Sequence, residues 1–231
     1  MNPTQALGDY YETYIERDLR QLTAIKDLSL FQRFVKLCAG RTGQLLNINS
    51  LANDTGVSHT TAGNWLSILE ASYIVFLLQP YHTNISKRLV KSPKLYFYDV
   101  GLASFLINIE NESQMSRDPL RGNLFENMVI VEALKYRFNQ GKRSNLYFYR
   151  DSKGNEVDLL MLSGSDIFPI EVKAGMTINK DFFKGLNHFM RIFSDHVSKG
   201  MGLVYGGEQS QERTDISVVP FNLLNSLFKR L

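Results

Sequence analysis

Along residues 9–39 the apolar positions recur at spacings of three and four: Tyr10, Tyr14, Ile15, Leu19 and Leu22, then Leu30, Phe31, Phe34, Val35 and Cys38. That period predicts two helices, with Asp27 or Ser29 capping the second and Gly40 and Gly43 ending it. A short helix after Asn49 or Ser50, a Gly56 turn and a helix capped by Ser58 and running to about Ser72 follow. This order is the sequence pattern of a helix-turn-helix. The runs "YIVFLLQPY" and "KLYFYDV" supply two strands around a basic loop and complete a winged helix.

The pattern changes after residues 108–123, "NIENESQMSRDPLRGN", a polar segment with Pro119 and Gly122 that reads as a linker. "LFENMVIVEALKYRF" then predicts a helix. Three strand-like segments follow, "NLYFYRD", "EVDLLMLS" and "IFPIEVKA". A helix is expected over "NKDFFKGLNHFMRIF", where Phe182, Phe183, Leu186, Phe189, Met190 and Phe193 repeat at three and four. The strands "MGLVYGG" and "DISVVPF" and a short amphipathic tail close the chain. The expected class is α/β (α+β mixed): a helical and winged-helix domain over 1–110 and a mixed β-sheet with flanking helices over 120–231.

Composition narrows this picture only slightly. The 231 residues carry a formal charge of +3, with a pI near 8.9, which permits a nucleic-acid partner without requiring one. The single cysteine, Cys38, excludes an internal disulfide and a cysteine cluster for zinc, and reads as a small buried hydrophobe. The start lacks a signal core, and no run of about 18 apolar residues occurs. The chain is therefore expected to be soluble and cytoplasmic, with no membrane partner.

The chemistry lies in the strands. On alternation, Glu156, Asp158 and Leu160 share one face of a strand, opposite Val157, Leu159 and Met161. Glu171 and Lys173 share a face of the next. Both strands are largely apolar, which suggests central strands covered on both sides, where carboxylates need partners. One arrangement is a structural ion pair of Asp158 and Glu171 with Lys173. The other is coordination of a hard divalent cation, Mg2+ or Mn2+, by Asp158 and Glu171. Glu156 is a further ligand or an ion-pair partner. His188 reads as a surface or packing histidine, and a Gly-x-Ser-x-Gly elbow is absent.

The order of Glu126 on a helix, Asp158 on a strand and Glu171-x-Lys173 on the next resembles the PD-(D/E)XK restriction-endonuclease-like superfamily. The resemblance implies that Asp158 and Glu171 bind the metal and that Lys173 positions the attacking water or stabilises developing charge. It makes Glu126 the accessory acid. Val157 stands where a proline is usual. The implied reaction is metal-dependent hydrolysis of a phosphodiester.

Over nearly the whole chain, "YYETYIERDL", "RLVKSPKLYFYDVGLASFL", "RGNLFENMVIVEAL", "RDSKGNEVDLLM" and "PIEVKAG" resemble bacterial and archaeal AAA+ type ATP-binding proteins. Those carry a winged helix and a restriction-endonuclease-like domain behind an ATPase domain. No G-x-x-x-x-G-K-[ST] loop exists here, and "AGRTGQ" lacks both the lysine and the spacing. The chain is thus expected to be a C-terminal portion, with ATP bound only through an absent N-terminal ATPase domain that is its partner in cis. An oligomer is allowed.

For DNA, the recognition helix offers Ser58, Thr60, Thr61 and Asn64, which can bond phosphates or base edges, but no Lys or Arg. The cations come in the wing as Lys87, Arg88, Lys91 and Lys94. The same features fit a winged helix used for protein contact. Three functions stay open: a nuclease-type module, a non-catalytic DNA- or protein-interaction module with a remnant nuclease fold, and a transcription regulator acting through the winged helix alone.

Overall fold

The structure is a computed structural model that describes residues 3–13, 25, 27–81, 90–197 and 199–230. Two compact units emerge: residues 1–77 with 94–127, and residues 78–93 with 128–231. Tyr14, Ile15, Leu19 and Leu22, named above for the first helical stretch, lie outside the described residues.

The first unit holds α1 (Pro3–Thr13), α2 (Leu28–Ala39), α3 (Ile48–Thr55), α4 (His59–Ala71), paired strands β1 (Val75–Leu78) and β2 (Lys94–Phe97), α5 (Val100–Leu106), α6 (Glu112–Arg117) and the start of α7 (Arg121–Phe138). The caps explain the boundaries. Asp27 accepts from the Leu30 N–H and Ser58 from the Thr61 N–H, as expected. The third helix begins earlier than Asn49 or Ser50, because Asn47 accepts the Ser50 N–H. Gly56 ends it at φ 88°, a left-handed geometry that glycine adopts without penalty.

The helices close over one core in which the Trp65 ring stands edge-on to Phe31 at 5.3 Å and to Phe34 at 5.6 Å. Leu66, Leu69 and Cys38 are buried in it too. Segment 108–123 is more structured than its composition suggests: Asn111 caps α6, and Met115 and Leu120 pack against the core. On α7, Asn127 acts as a substitute strand neighbour for β2. Its amide donates to the Phe97 carbonyl at 2.7 Å, and its oxygen accepts from the Phe97 N–H at 2.9 Å and the Thr42 hydroxyl at 2.6 Å. All these groups are buried, so each bond prevents a costly unsatisfied polar atom.

In the second unit β3 (Leu146–Arg150), β4 (Glu156–Ser163), β5 (Asp166–Lys173), β6 (Met201–Tyr205), β7 (Gln211–Glu212) and β8 (Ile216–Pro220) form one mixed sheet, ordered β3-β4-β5-β6-β8-β7. The first three strands are antiparallel, β5, β6 and β8 run parallel, and β7 returns antiparallel. Helix α8 (Lys184–Phe193) lays Leu186, Phe189 and Phe193 on one face, against Tyr149, Val157, Leu160, Leu203 and Val218. On the other face α9 (Leu224–Phe228) comes so close that a Cβ on Gly202 would meet Leu227 Cδ1 at 2.9 Å. β4 and β5 are therefore interior strands, and the mixed sheet with flanking helices is the expected class. Among the described residues no helix is long and apolar enough to cross a membrane.

Candidate functional site

Asp158 sits where the sheet is irregular. Along β3 and β4, Tyr147 faces Leu160 but Tyr149 faces Val157, so two steps on β3 match three on β4. The extra residue falls at Asp158–Leu159 and makes a bulge. The strict alternation expected from the sequence is broken there: Val157 and Leu160, assigned to opposite faces, pack in the same core cluster under α8. The β4–β5 ladder also stops at Leu159 opposite Ile170. Beyond it, Asp158 Oδ2 accepts the Val172 N–H at 2.8 Å, a side chain taking the place of a strand carbonyl.

The same opening brings in Glu171 and Lys173. Lys173 Nζ lies 2.5 Å from Glu171 Oε1 and 3.6 Å from Asp158 Oδ2. Both carboxylate side chains are nearly buried, at 10% exposure for Asp158 and 7% for Glu171, whereas Lys173 is 32% exposed. Two carboxylates thus share one ammonium that reaches solvent. The first turn of α8 presses on this point because Gly185 has no side chain. A Cβ there would overlap the Glu156 carbonyl oxygen and lie 2.9 Å from Glu171 Oε2. The positive end of α8 therefore stands beside the Glu171 carboxylate.

Glu156 pairs with Arg150, its cross-strand partner on β3. The turn between these strands is tied by Asp151, which accepts from the Lys153 and Asn155 N–H groups at 2.9 Å each and from Asn155 Nδ2 at 2.7 Å. Burial pushes the Asp151 carboxyl up, but these bonds, with the charge of His188, outweigh it and hold it below its usual range. His188 on α8, with Nε2 3.3 Å from Asp151 Oδ2, links the helix to the turn. Sequence reading missed this clamp and Gly185. The Asp-x-x-Gly-Asn spacing of residues 151–155 was the available signal for the turn.

Glu126 belongs to the first unit. Its Oε1 accepts from Lys94 Nζ at 2.8 Å and from the Tyr96 hydroxyl at 2.5 Å. Lys94, expected on a solvent-facing wing, is instead 3% exposed, because it opens β2 with its side chain turned into the unit. Of the other wing cations, Lys91 is exposed, while Lys87 and Arg88 lie outside the described residues. On α4, Thr60 and Asn64 are exposed one turn apart, opposite buried Ala62, Trp65, Leu66 and Leu69. Thr61 is half-buried, and the Ser58 hydroxyl is engaged as the cap, 2.8 Å from the Thr61 hydroxyl.

Two family models match this chain. Residues 2–113 match a domain of unknown function (DUF8612), and residues 121–224 match a second domain of unknown function (DUF4143). Uncharacterized protein Rv2008c of Mycobacterium tuberculosis is 30% identical over 168 residues, which cover 73% of this chain and 37% of that protein. Uncharacterized protein MJ1637 of Methanocaldococcus jannaschii is 25% identical over 203 residues, covering 87% and 40%. The chain spans about two fifths of the length of these curated relatives. No solved structure matches significantly.

Proposed function

We propose that the second unit carries a nuclease-type site for metal-dependent hydrolysis of DNA phosphodiesters, within the C-terminal region of a cytoplasmic AAA+ type ATP-binding protein. The observation that carries this reading is the sharing of Lys173 Nζ by Asp158 and Glu171 where the β4–β5 ladder opens. The donor set fits Mg2+ or Mn2+: oxygen donors only, nearly buried, on neighbouring strands. When bound, such a cation polarises the scissile phosphate and acidifies a water. Asp158 and Glu171 would hold it. Lys173, from the solvent side, would orient the water and stabilise charge developing on the phosphate oxygens. Glu126, the accessory acid that the resemblance implies, belongs to the first unit and bonds Lys94 and the Tyr96 hydroxyl there.

DNA would be met by Thr60, Thr61 and Asn64 of α4, with Lys91, Lys87 and Arg88 on phosphates. The relatives are more than twice as long as the matched segment, which leaves room for an ATPase domain in cis and for ATP bound there. Incubation with plasmid, single-stranded and short branched DNA in Mg2+ or Mn2+, beside a Lys173→Ala control, tests the reading. Product from the wild type and at least a hundredfold less from the variant is expected, and equal behaviour overturns catalysis.

A second reading rests on the Val172–Asp158 bond. A carboxylate already engaged by the backbone suits a structural remnant in a non-catalytic DNA- or protein-interaction module. It predicts no saturable Mn2+ binding and an Asp158→Asn variant altered in stability alone.

A further inference from the structure

The geometry points to a docking site in the first unit for an arginine side chain presented by a protein partner, built from Glu70, Tyr73, Phe76 and Tyr98. Its starting point is an irregularity at the end of α4. The Ile74 N–H donates to the Leu69 carbonyl at 2.9 Å and the Tyr73 N–H to the Glu70 carbonyl at 3.1 Å. Leu69 and Ile74 are both buried in the core. This is the paired-bond helix ending whose middle position takes a left-handed backbone and ordinarily holds glycine. Here Tyr73 occupies it at φ 57°. A bulky residue in that conformation is an outlier that folding does not favour.

Burial does not account for the tyrosine, because Tyr73 is 73% exposed. Its ring leans edge-on against Tyr98, with centroids 5.7 Å apart. Tyr98 touches Phe76 at 4.8 Å, and Phe76 stacks on buried Tyr96 at 5.6 Å. Tyr98 and Phe76 are only half-buried, so three rings in a row meet solvent. The left-handed turn thus holds an aromatic ring outward at the end of a row anchored in the core.

Glu70 decides what the row would take. It lies one helical step before the ending and joins no ion pair among the described residues. Burial raises its carboxyl above the usual range. Glu70 stands at the same helix end as Tyr73, whose N–H donates to the Glu70 carbonyl, and the Tyr98 hydroxyl is raised by its own burial and then by neighbouring Tyr73 and Glu70. Ring faces attract cations, and a guanidinium can stack on a tyrosine while its edge bonds a carboxylate. A nucleic-acid strand would bring its phosphates against Glu70 and is disfavoured here.

The test uses a fluorescein-labelled hexapeptide of alternating glycine and arginine, its citrulline counterpart, and a labelled single-stranded oligonucleotide. Anisotropy is read with the wild-type chain, Tyr73→Gly and Glu70→Gln. Saturable binding of the arginine peptide is expected, weakened at least fivefold by either substitution and absent with citrulline. Tyr73→Gly should unfold in urea no earlier than the wild type, since glycine suits the turn. Failure of the arginine peptide to saturate, or equal binding by the variants, overturns the proposal. So does loss of oligonucleotide binding in Tyr73→Gly with the peptide unaffected, or a Tyr73→Gly chain that unfolds early, which would make the ring a structural element.

Discussion

Each unit sets a lysine against carboxylate oxygens, and the two lysines differ in their access to solvent. In the first unit Glu126 Oε1 accepts from Lys94 Nζ at 2.8 Å and from the Tyr96 hydroxyl, and Lys94 is sealed from solvent at 3% exposure. In the second, Asp158 and Glu171 share Lys173, which is 32% exposed, where a bulge has opened the ladder. A sealed pair holds a fold in one arrangement, and removing one partner leaves an uncompensated buried charge. Two nearly buried carboxylates beside an ammonium that reaches solvent offer the oxygen donors and the access that the proposed cation and phosphate require.

The largest expected effect breaks the sealed cluster. Lys94→Met should lower unfolding free energy by about 3–5 kcal/mol, and Lys173→Met, whose ammonium is partly solvated, should lower it by less. Urea unfolding of both variants checks this, and equal losses would erase the distinction. Next, Mn2+ at a hundred times its dissociation constant should stabilise the wild type by about 2.7 kcal/mol. Asp158→Asn should lose most of that gain while its amide oxygen still accepts the Val172 N–H. Gly185→Ala should cost about 1–3 kcal/mol, since the added methyl meets the Glu156 carbonyl and the structure must shift.

Smaller effects sharpen the view of the first unit. Burial pushes the Cys38 thiol up to about 12. Above the ordinary thiol value of about 8.5 the unfolded chain releases a proton that the folded chain keeps, so stability falls as pH rises, by up to about 1.4 kcal/mol per unit. Cys38→Ala should lack that part of the alkaline slope between about 8.5 and 12. Smallest of all, Tyr73→Gly should change stability by under about 1 kcal/mol, on the stabilising side, as relief of the left-handed backbone offsets the lost ring contact.

Much of this architecture was legible because it follows periods. The spacing of Phe31, Phe34, Trp65 and Leu69 gives the helical core, and the run from Leu146 to Lys173 gives three strands in order. The residues of the candidate site were legible as types at a spacing: an aspartate on one strand and Glu-x-Lys on the next. Their geometry was not. The alternation of residues 156–161 looks regular in sequence, and nothing local announces a bulge, which arises from how β4 meets its two neighbours. Lys94 shows the converse error. It reads as the last cation of a basic loop, yet its surroundings are set by Glu126 and Tyr96, over thirty residues away and next door respectively. Gly185 and the Asp151–His188 link likewise act through contacts between elements, which no single period encodes.

The carboxylates of β4 and β5 are proposed to form a divalent-cation site. Calorimetric titration of the chain with Mn2+, beside Asp158→Asn and Glu171→Gln, tests it most directly. One saturable site per chain is predicted, weakened at least tenfold by either substitution. No saturable heat, or binding that both variants retain unchanged, would contradict it.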